Sequence, residues 1–409
     1  MTFMVLGFRS LFRQRRRTLM TLLVITFGIG SLLLTLGHTA YIDWGLREST
    51  IHSETGHLQL FHADYFDREE ETILELGVKD AAALEAGLNQ FLEVQLVQAR
   101  ISLMGLISNG EKSVAFVGEA VEPAKERKLR NLFGNSGHGF DSLMVADAAD
   151  KIVLGRALAR SLDVGVGDWV TLMTSTTDGA LNAVDLRVAD TFSATAIEYE
   201  KRAVRLTIET AQTLLLTDKV KHLVVTLDKT EHTDRLCREI EAWAKENGHA
   251  LSLRKWHEQA AYYHQVLEFF QQITGFLSAI LFIIVFFATA NTIVMSIVER
   301  TQEIGTLLSV GTTRFQTLKM FVFEGLFLGL IGGLLAVGFA ALAGTLINRA
   351  GLMMPPPPGA SEGYQLMVRS EASTFVTVFS ATVITTIASS LTPAFRVTRM
   401  KIVDALGHI

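Results

Sequence analysis

A single cysteine, Cys237, occurs in 409 residues, so no intrachain disulfide is possible and any globular part must be held by its own core. Proline is almost as scarce. Four of the six prolines form the run Pro355–Pro358, which leaves the rest of the chain nearly free of residues that stop helices. The pattern GxxxxGK[ST] is absent, which excludes a P-loop nucleotide site. There is no excess of basic charge, and a formal net charge of -5 argues against a nucleic-acid partner.

Apolar residues make up 49% of the chain and the mean hydropathy is +0.31, yet charged residues are still 19%. That mixture describes membrane spans joined to a large water-facing part. The clearest span is Phe269–Val298, which carries no formal charge. At a rise of about 1.5 Å per residue it exceeds the roughly 30 Å of a bilayer core. Charge returns in ERTQEIGTLLSVGTTRFQTLK, where Ile304, Leu307, Leu308 and Phe315 recur at near-helical spacing. Residues 299–316 are expected to form a short amphipathic helix on the membrane surface, with a turn at Gly311 before Thr312, Thr313 and Arg314.

Three more spans are expected, at 18–42, 320–348 and 372–395. Residues 1–17, with five arginines among apolar positions, read as an amphipathic helix on the cytoplasmic face. Basic residues before an apolar run also mark signal peptides, but 18–42 is too long for one and lacks a small-residue cleavage site, so it is read as a retained span. Arg396, Arg399 and Lys401, in the tail 396–409, match that run and place both termini in the cytoplasm. Residues 43–268 then form a mixed α+β domain outside the membrane, in two subdomains, and 349–371 a stiff, proline-rich external loop.

Within 43–268, strands are expected at 57–61, 113–118, 203–208 and 222–227 from their alternation. Helices are expected across 71–95, in LGRALARSL, and around Leu236, Ile240 and Trp243. Cys237 reads as a small buried residue.

LFRQRRRTLMTLLVITFGIG, VGEAVEP, IVLGRALARSLDVGVGDWVTL, VADTF, ERTQEIGTLLSVGTTRF and TPAFRVTRMKIVDALGHI occur in this order around four spans. Together they resemble the FtsX-like, MacB-like permeases of ABC transporters, with a length most similar to the lipoprotein-release permeases LolC and LolE. The resemblance implies a non-enzymatic subunit of the bacterial inner membrane that works by mechanotransmission. Its partners would be a cytosolic ATPase dimer, which binds ATP and Mg, and a second permease copy, identical or homologous. The chain itself would bind no cofactor. The external domain would be a MacB-like periplasmic core of two lobes on a helical stalk.

In that picture 299–316 is the coupling helix. Ile304, Leu307 and Leu308 would enter a groove on the ATPase, Glu299, Arg300, Glu303 and Arg314 would pair at its rim, and Gly305 and Gly311 would permit close packing and turning. The cargo implied is a lipoprotein or similar amphiphile taken from the inner membrane, with a periplasmic carrier or adaptor as a further partner. Efflux of drugs, peptides or toxins in the MacB manner, and activation of a cell-wall hydrolase in the FtsX manner, stay open as alternatives. The LolC-type hook that recruits a chaperone carries a proline, whereas TLMTSTTDGALNAVDLRV has none.

Gly325, Gly329 and Gly333 recur every four residues and either form a packing face or reflect the frequency of glycine in membrane helices. Phe269, Phe270 and Phe276 either line a cavity for acyl chains or face lipid. Glu324, the one acid inside a span, is expected to be snorkelling, interfacial or ion-paired rather than buried. The hydroxyls of span four are expected to bond their own helix. His52, His57 and His62 do not share a face at this spacing, so no metal site is expected.

Overall fold

The computed structural model describes residues 7–8, 11, 13–68, 74–133, 150–193, 197–354 and 364–398. In chain order the helices and strands are α1 (Arg15–Thr50), β1 (Leu58–His62), α2 (Ala81–Leu88), β2 (Val94–Ser108), β3 (Ser113–Val121), α3 (Pro123–Phe133), β4 (Lys151–Gly155) and α4 (Arg156–Leu162). There follow β5 (Trp169–Ser175), β6 (Leu181–Phe192), α5 (Ile197–Glu200), β7 (Ala203–Thr207), α6 (Ile208–Leu215), β8 (His222–Leu227), α7 (Thr233–Glu246), β9 (Leu251–Lys255) and α8 (Trp256–Gln259). The chain then continues through α9 (Ala261–Glu299), α10 (Thr301–Ser309), α11 (Arg314–Ala350) and α12 (Ala372–Thr398). Contacts divide it into a helical unit and a second unit of Gly45–His264 with Met354–Tyr364. Pro355–Pro358 and most of the tail fall outside the described residues.

In the second unit, β2 serves two sheets. Its first half, Val94–Arg100, pairs antiparallel with β8, and the sheet continues through β1 to the edge strand β9. Its second half, Ile101–Ser108, pairs antiparallel with β3 on one side, and its last three residues pair with β5 on the other. Since β3 runs on through β7, β4 and β6 to β5, these six strands close into a ring, which leaves no free edge. A single apolar core runs under both sheets, from Leu58 and Leu60 through Ile101 and Phe116 to Leu154, Leu172 and Leu186. The two expected subdomains are therefore two lobes joined by one continuous strand.

Arg100 marks the hand-over. It is 2% exposed and is held by Glu119 of β3 and, at 3.2 Å, by Glu126 of α3, so a buried charge is compensated where the sheets diverge. Only Ala81–Leu88 of the expected 71–95 helix is helical among the described residues. After Leu88 the chain turns, and Val94 begins β2 because its apolar residues are needed by the sheet. TLMTSTTDGALNAVDLRV is the β5–β6 hairpin, closed by a turn with Gly179 at φ +81°. Cys237 lies buried in α7, where burial pushes its thiol up to about 11 and leaves it unreactive. His57 accepts a hydrogen bond on Nδ1 from the Leu227 N–H at 3.0 Å, and His52 Nε2 lies 3.0 Å from Glu48.

The helical unit contains α1, α9, α11 and α12, each long and apolar enough to cross a membrane and each longer than the apolar run that marks it. Ile25, Ile29, Leu32, Val285, Ala336, Ala340 and Val378 fill its centre. Glu324 corrects the sequence-based expectation. It is 2% exposed and accepts a hydrogen bond from Ser296 Oγ at 3.2 Å. The reason is its place in the stripe Met320, Phe321, Glu324, Gly325 and Leu328, which turns inward at helical spacing and carries the acid with it.

Candidate functional site

The best-defined surface feature of the helical unit is the break between α9 and α11. Helix α9 stops at Glu299, and Thr301 Oγ1 donates back towards the carbonyls of Ile297 and Val298 at 3.1 and 2.9 Å, which satisfies acceptors left open at a helix end. Arg300, at φ -110° and ψ 14°, redirects the chain into the nine-residue α10. That helix ends in a Schellman motif, with Thr312 N–H bonded to Leu307 O at 3.0 Å and Gly311 N–H to Leu308 O at 3.2 Å. Gly311 takes φ +104°, a value that side chains disfavour. Thr313 then caps α11 through a capping box with Gln316. Two opposed caps within three residues fix the corner.

Residues 299–316 are therefore not one helix. Arg314 and Phe315 open α11, because the positive φ at Gly311 ends the first helix. The expected apolar face is also redistributed. Ile304 is 1% exposed and sits in a cluster with Ile293, Ile297, Leu318, Met320, Phe321 and Ala394, with Leu308 packed against it. Ile304 and Gly305 thus serve the unit's own core, because the amphipathic stripe of a nine-residue helix can meet its own bundle. Leu307 is 38% exposed, Val310 82% and Phe315 63%, and these are the apolar groups left facing outward.

Three of the four charged positions, Glu299, Arg300 and Glu303, are engaged within the chain, and Arg314 is exposed. Glu303 pairs with Arg13 and, at 3.2 Å, with Arg300 Nε, and Glu299 pairs with Arg17 at 2.5 Å. The Arg13 hydrogen bond holds the Glu303 carboxyl below its ordinary range. The Arg300 side chain is only 12% exposed. Sequence reasoning missed Arg13 and Arg17 here, since nothing local signals a partner 290 or 282 residues away.

Behind this corner the glycines of α11 face α12. A Cβ at Gly325 would lie 2.7 Å from Ser390 Cβ, at Gly329 2.2 Å from Thr386 Oγ1, and at Gly333 2.8 Å from Phe379 Cδ2. The facing hydroxyls bond their own helix, Thr382 to Val378 O at 2.8 Å and Thr386 to Val383 O at 2.9 Å. Phe269 and Phe276 lie on the outside of α9 at 59% and 71% exposure, and Phe270 is half-buried. The most apolar window of α9 is 17% buried, against 28–33% in the other three long helices, so α9 is the least covered side of the unit.

Two family models match the chain: "MacB-like periplasmic core domain" over residues 18–243 and "FtsX-like permease C-terminal" over 275–402. The macrolide export ATP-binding/permease protein MacB of Sodalis glossinidius is 25% identical over 84% of this chain and 52% of its own length. The lipoprotein-releasing system transmembrane protein LolC of Neisseria meningitidis is 22% identical over 84% of this chain and 82% of its own length. A MacB of Psychrobacter cryohalolentis is 27% identical over 29% of this chain, which spans only 16% of that relative. Among solved structures, the periplasmic region of MacB from Actinobacillus actinomycetemcomitans aligns with 53% of this chain and 95% of its own, at 14% identity and a TM-score of 0.36.

Proposed function

The chain belongs to the MacB-like, FtsX-like ABC transporter permeases, and from that premise we propose that α10 and the start of α11 are the seat of a separate cytosolic ATPase dimer. The observation that carries this reading is the fixed corner itself. A helix closed by a Schellman motif, anchored by Ile304 and followed at once by a capped helix moves as part of α9 and α11 rather than as a loose connector. Force applied to it therefore has a stiff path into two long helices. The groove anchors proposed are Leu307, Val310 and Phe315.

The chain works, in this reading, in the inner membrane with a second permease copy, and the ATPase moves α10 so that α1 and α9 pass the movement to the two-lobed domain with which they are continuous. Nucleotide drives this only through ATPase contacts that differ between its states. The cargo proposed is a lipoprotein or similar amphiphile, which agrees with a LolC relative matched over most of its length. Macrolide-type efflux is the second reading, favoured by a MacB relative that aligns with an equal share of this chain.

Leu307→Asp tests the seat. An unpaired carboxylate in an apolar groove costs on the order of several kcal/mol, so the ATPase that co-purifies with the wild-type permease from host membranes should be lost. Wild-type retention and wild-type ATP hydrolysis in that variant would overturn the reading.

A further inference from the structure

Glu299 and Glu303 close the last turn of α9 and the first turn of α10, and the same chain already engages both. Arg13 holds Glu303, Arg17 lies 2.5 Å from Glu299, and Gln14 Nε2 donates to the second oxygen of Glu299 at 2.6 Å. Arg17 also donates to Gln14 Oε1 at 3.3 Å, which ties the donors to one another. Arg13, Gln14 and Arg17 follow the i, i+1, i+4 spacing of one helical face. Directly after them α1 is joined to α9 by the Thr21 and Thr292 hydroxyls, 2.5 Å apart and buried. An isolated exposed ion pair contributes little, but several contacts between groups whose backbones are already fixed lose less side-chain entropy.

The charge that remains has a sign. Residues 13–17 and 299–319 carry seven cations, Arg13, Arg15, Arg16, Arg17, Arg300, Arg314 and Lys319, against the two carboxylates. With both carboxylates engaged, Arg314 and Lys319 stand exposed next to Val310 and Phe315 in the sequence of the corner, and Arg16 stands exposed between the clasping residues Arg13 and Arg17. Lys319 lies over the Phe315 ring at 4.8 Å, so an apolar anchor is itself edged with positive charge.

We propose that Arg13, Gln14 and Arg17 clasp the α9–α10 corner through Glu299 and Glu303, so that the docking surface is built from two distant segments and fits a partner groove with an apolar floor and a carboxylate rim. This rests on the reading of α10 as the ATPase seat. The two glutamates act inside the chain as positioning residues, and the basic groups around them face the partner.

The test uses the full-length permease and the ATPase that co-purifies with it. In a Cys237→Ser background, Arg13→Cys with Glu303→Cys should cross-link within one chain with a bifunctional thiol reagent long enough to replace the two side chains that meet there, since a direct disulfide needs closer backbones, and no cross-link would overturn the clasp. Arg13→Glu with Arg17→Glu should lower ATPase retention roughly tenfold, which corresponds to 1.4 kcal/mol. Adding Glu299→Arg and Glu303→Arg restores the pairs at unchanged net charge and should recover most of that loss. A quadruple variant as defective as the double one would overturn the clasp. Arg16→Glu should weaken retention with the glutamate pairs intact, and an unchanged value would overturn the carboxylate rim. Retention in Leu307→Asp reports separately on the seat: if that variant keeps the ATPase while the cross-link forms, the seat is wrong and the clasp stands.

Discussion

Gly329→Leu should destabilise the helical unit, and the geometry says by how much. The first carbon of any side chain at 329 would lie 2.2 Å from Thr386 Oγ1 and 3.0 Å from Val383 Cα. The hydroxyl can rotate away at the cost of its 2.9 Å bond to Val383 O. Val383 Cα is backbone, so α12 itself must retreat by a few tenths of an ångström to reach ordinary contact at 3.4 Å. Overpacking of this kind costs about 1–3 kcal/mol. Alanine recovers up to about 1 kcal/mol of helix propensity, which places Gly329→Ala near neutral and Gly329→Leu at the upper end. Gly338 is the internal control, because nothing lies within 4 Å of its Cβ position and Gly338→Ala should stabilise. The assay is unfolding of the detergent-solubilised chain, read by exposure of introduced thiols. Equal stability of Gly329→Leu and wild type would show that α11 and α12 do not pack through this stripe.

Two further outcomes follow from backbone and burial. Gly311→Ala meets no steric neighbour but must hold φ +104°, so it should cost about 1–2 kcal/mol and loosen the α10–α11 corner with α9 and α11 intact. Faster hydrogen exchange confined to residues 306–313 would show it, and unchanged exchange would refute it. Burial lowers His57 and His222 from 6.5 to about 3, with His52 adding to the effect on His57 and Lys221 to that on His222. Both are neutral when folded, while the unfolded chain takes up protons below pH 6.5. The stability they confer is complete above that pH and is lost as pH falls towards 3, at up to about 1.4 kcal/mol per pH unit for each group. His222→Phe should make the denaturation midpoint less sensitive to pH across that window, and an unchanged slope would refute the assignment.

The long helices were legible because a bilayer selects long runs with almost no charge, and four strands because their runs are short, apolar and bounded by polar residues, although HLVVTL, expected to be half-buried, is buried along its whole length. β2 escaped notice because its first half is buried on both faces and only its second half alternates, so no single period describes VQLVQARISLMGLIS. At the corner, the turn at Gly311 was readable from local chemistry. The side of α10 that is covered was not, since an amphipathic stripe shows a face without saying whether the chain or a partner buries it. Ile304 and Leu307 differ by three residues and take opposite roles for that reason. Glu324 was misplaced because proximity to Lys319 suggested an interface, whereas its neighbours Phe321, Gly325 and Leu328 turn it inward.

The shared strand sets an order for synthesis. The six-stranded ring draws its pairs from Ile101 to Thr207, so all of them exist once residue 207 has been made. The four-stranded lobe begins earlier, at Leu58, yet lacks its last strand until Lys255. β2 must therefore wait, with its second half able to pair while its first half has no β8 beside it. Helix α1 waits longer still, since Ile25 packs at Gly332 and Phe27 against Phe339, residues made some three hundred positions later. Its first helical partner is α9, through Thr292 and Val285, and until that helix is made the first helix has only its own apolar length.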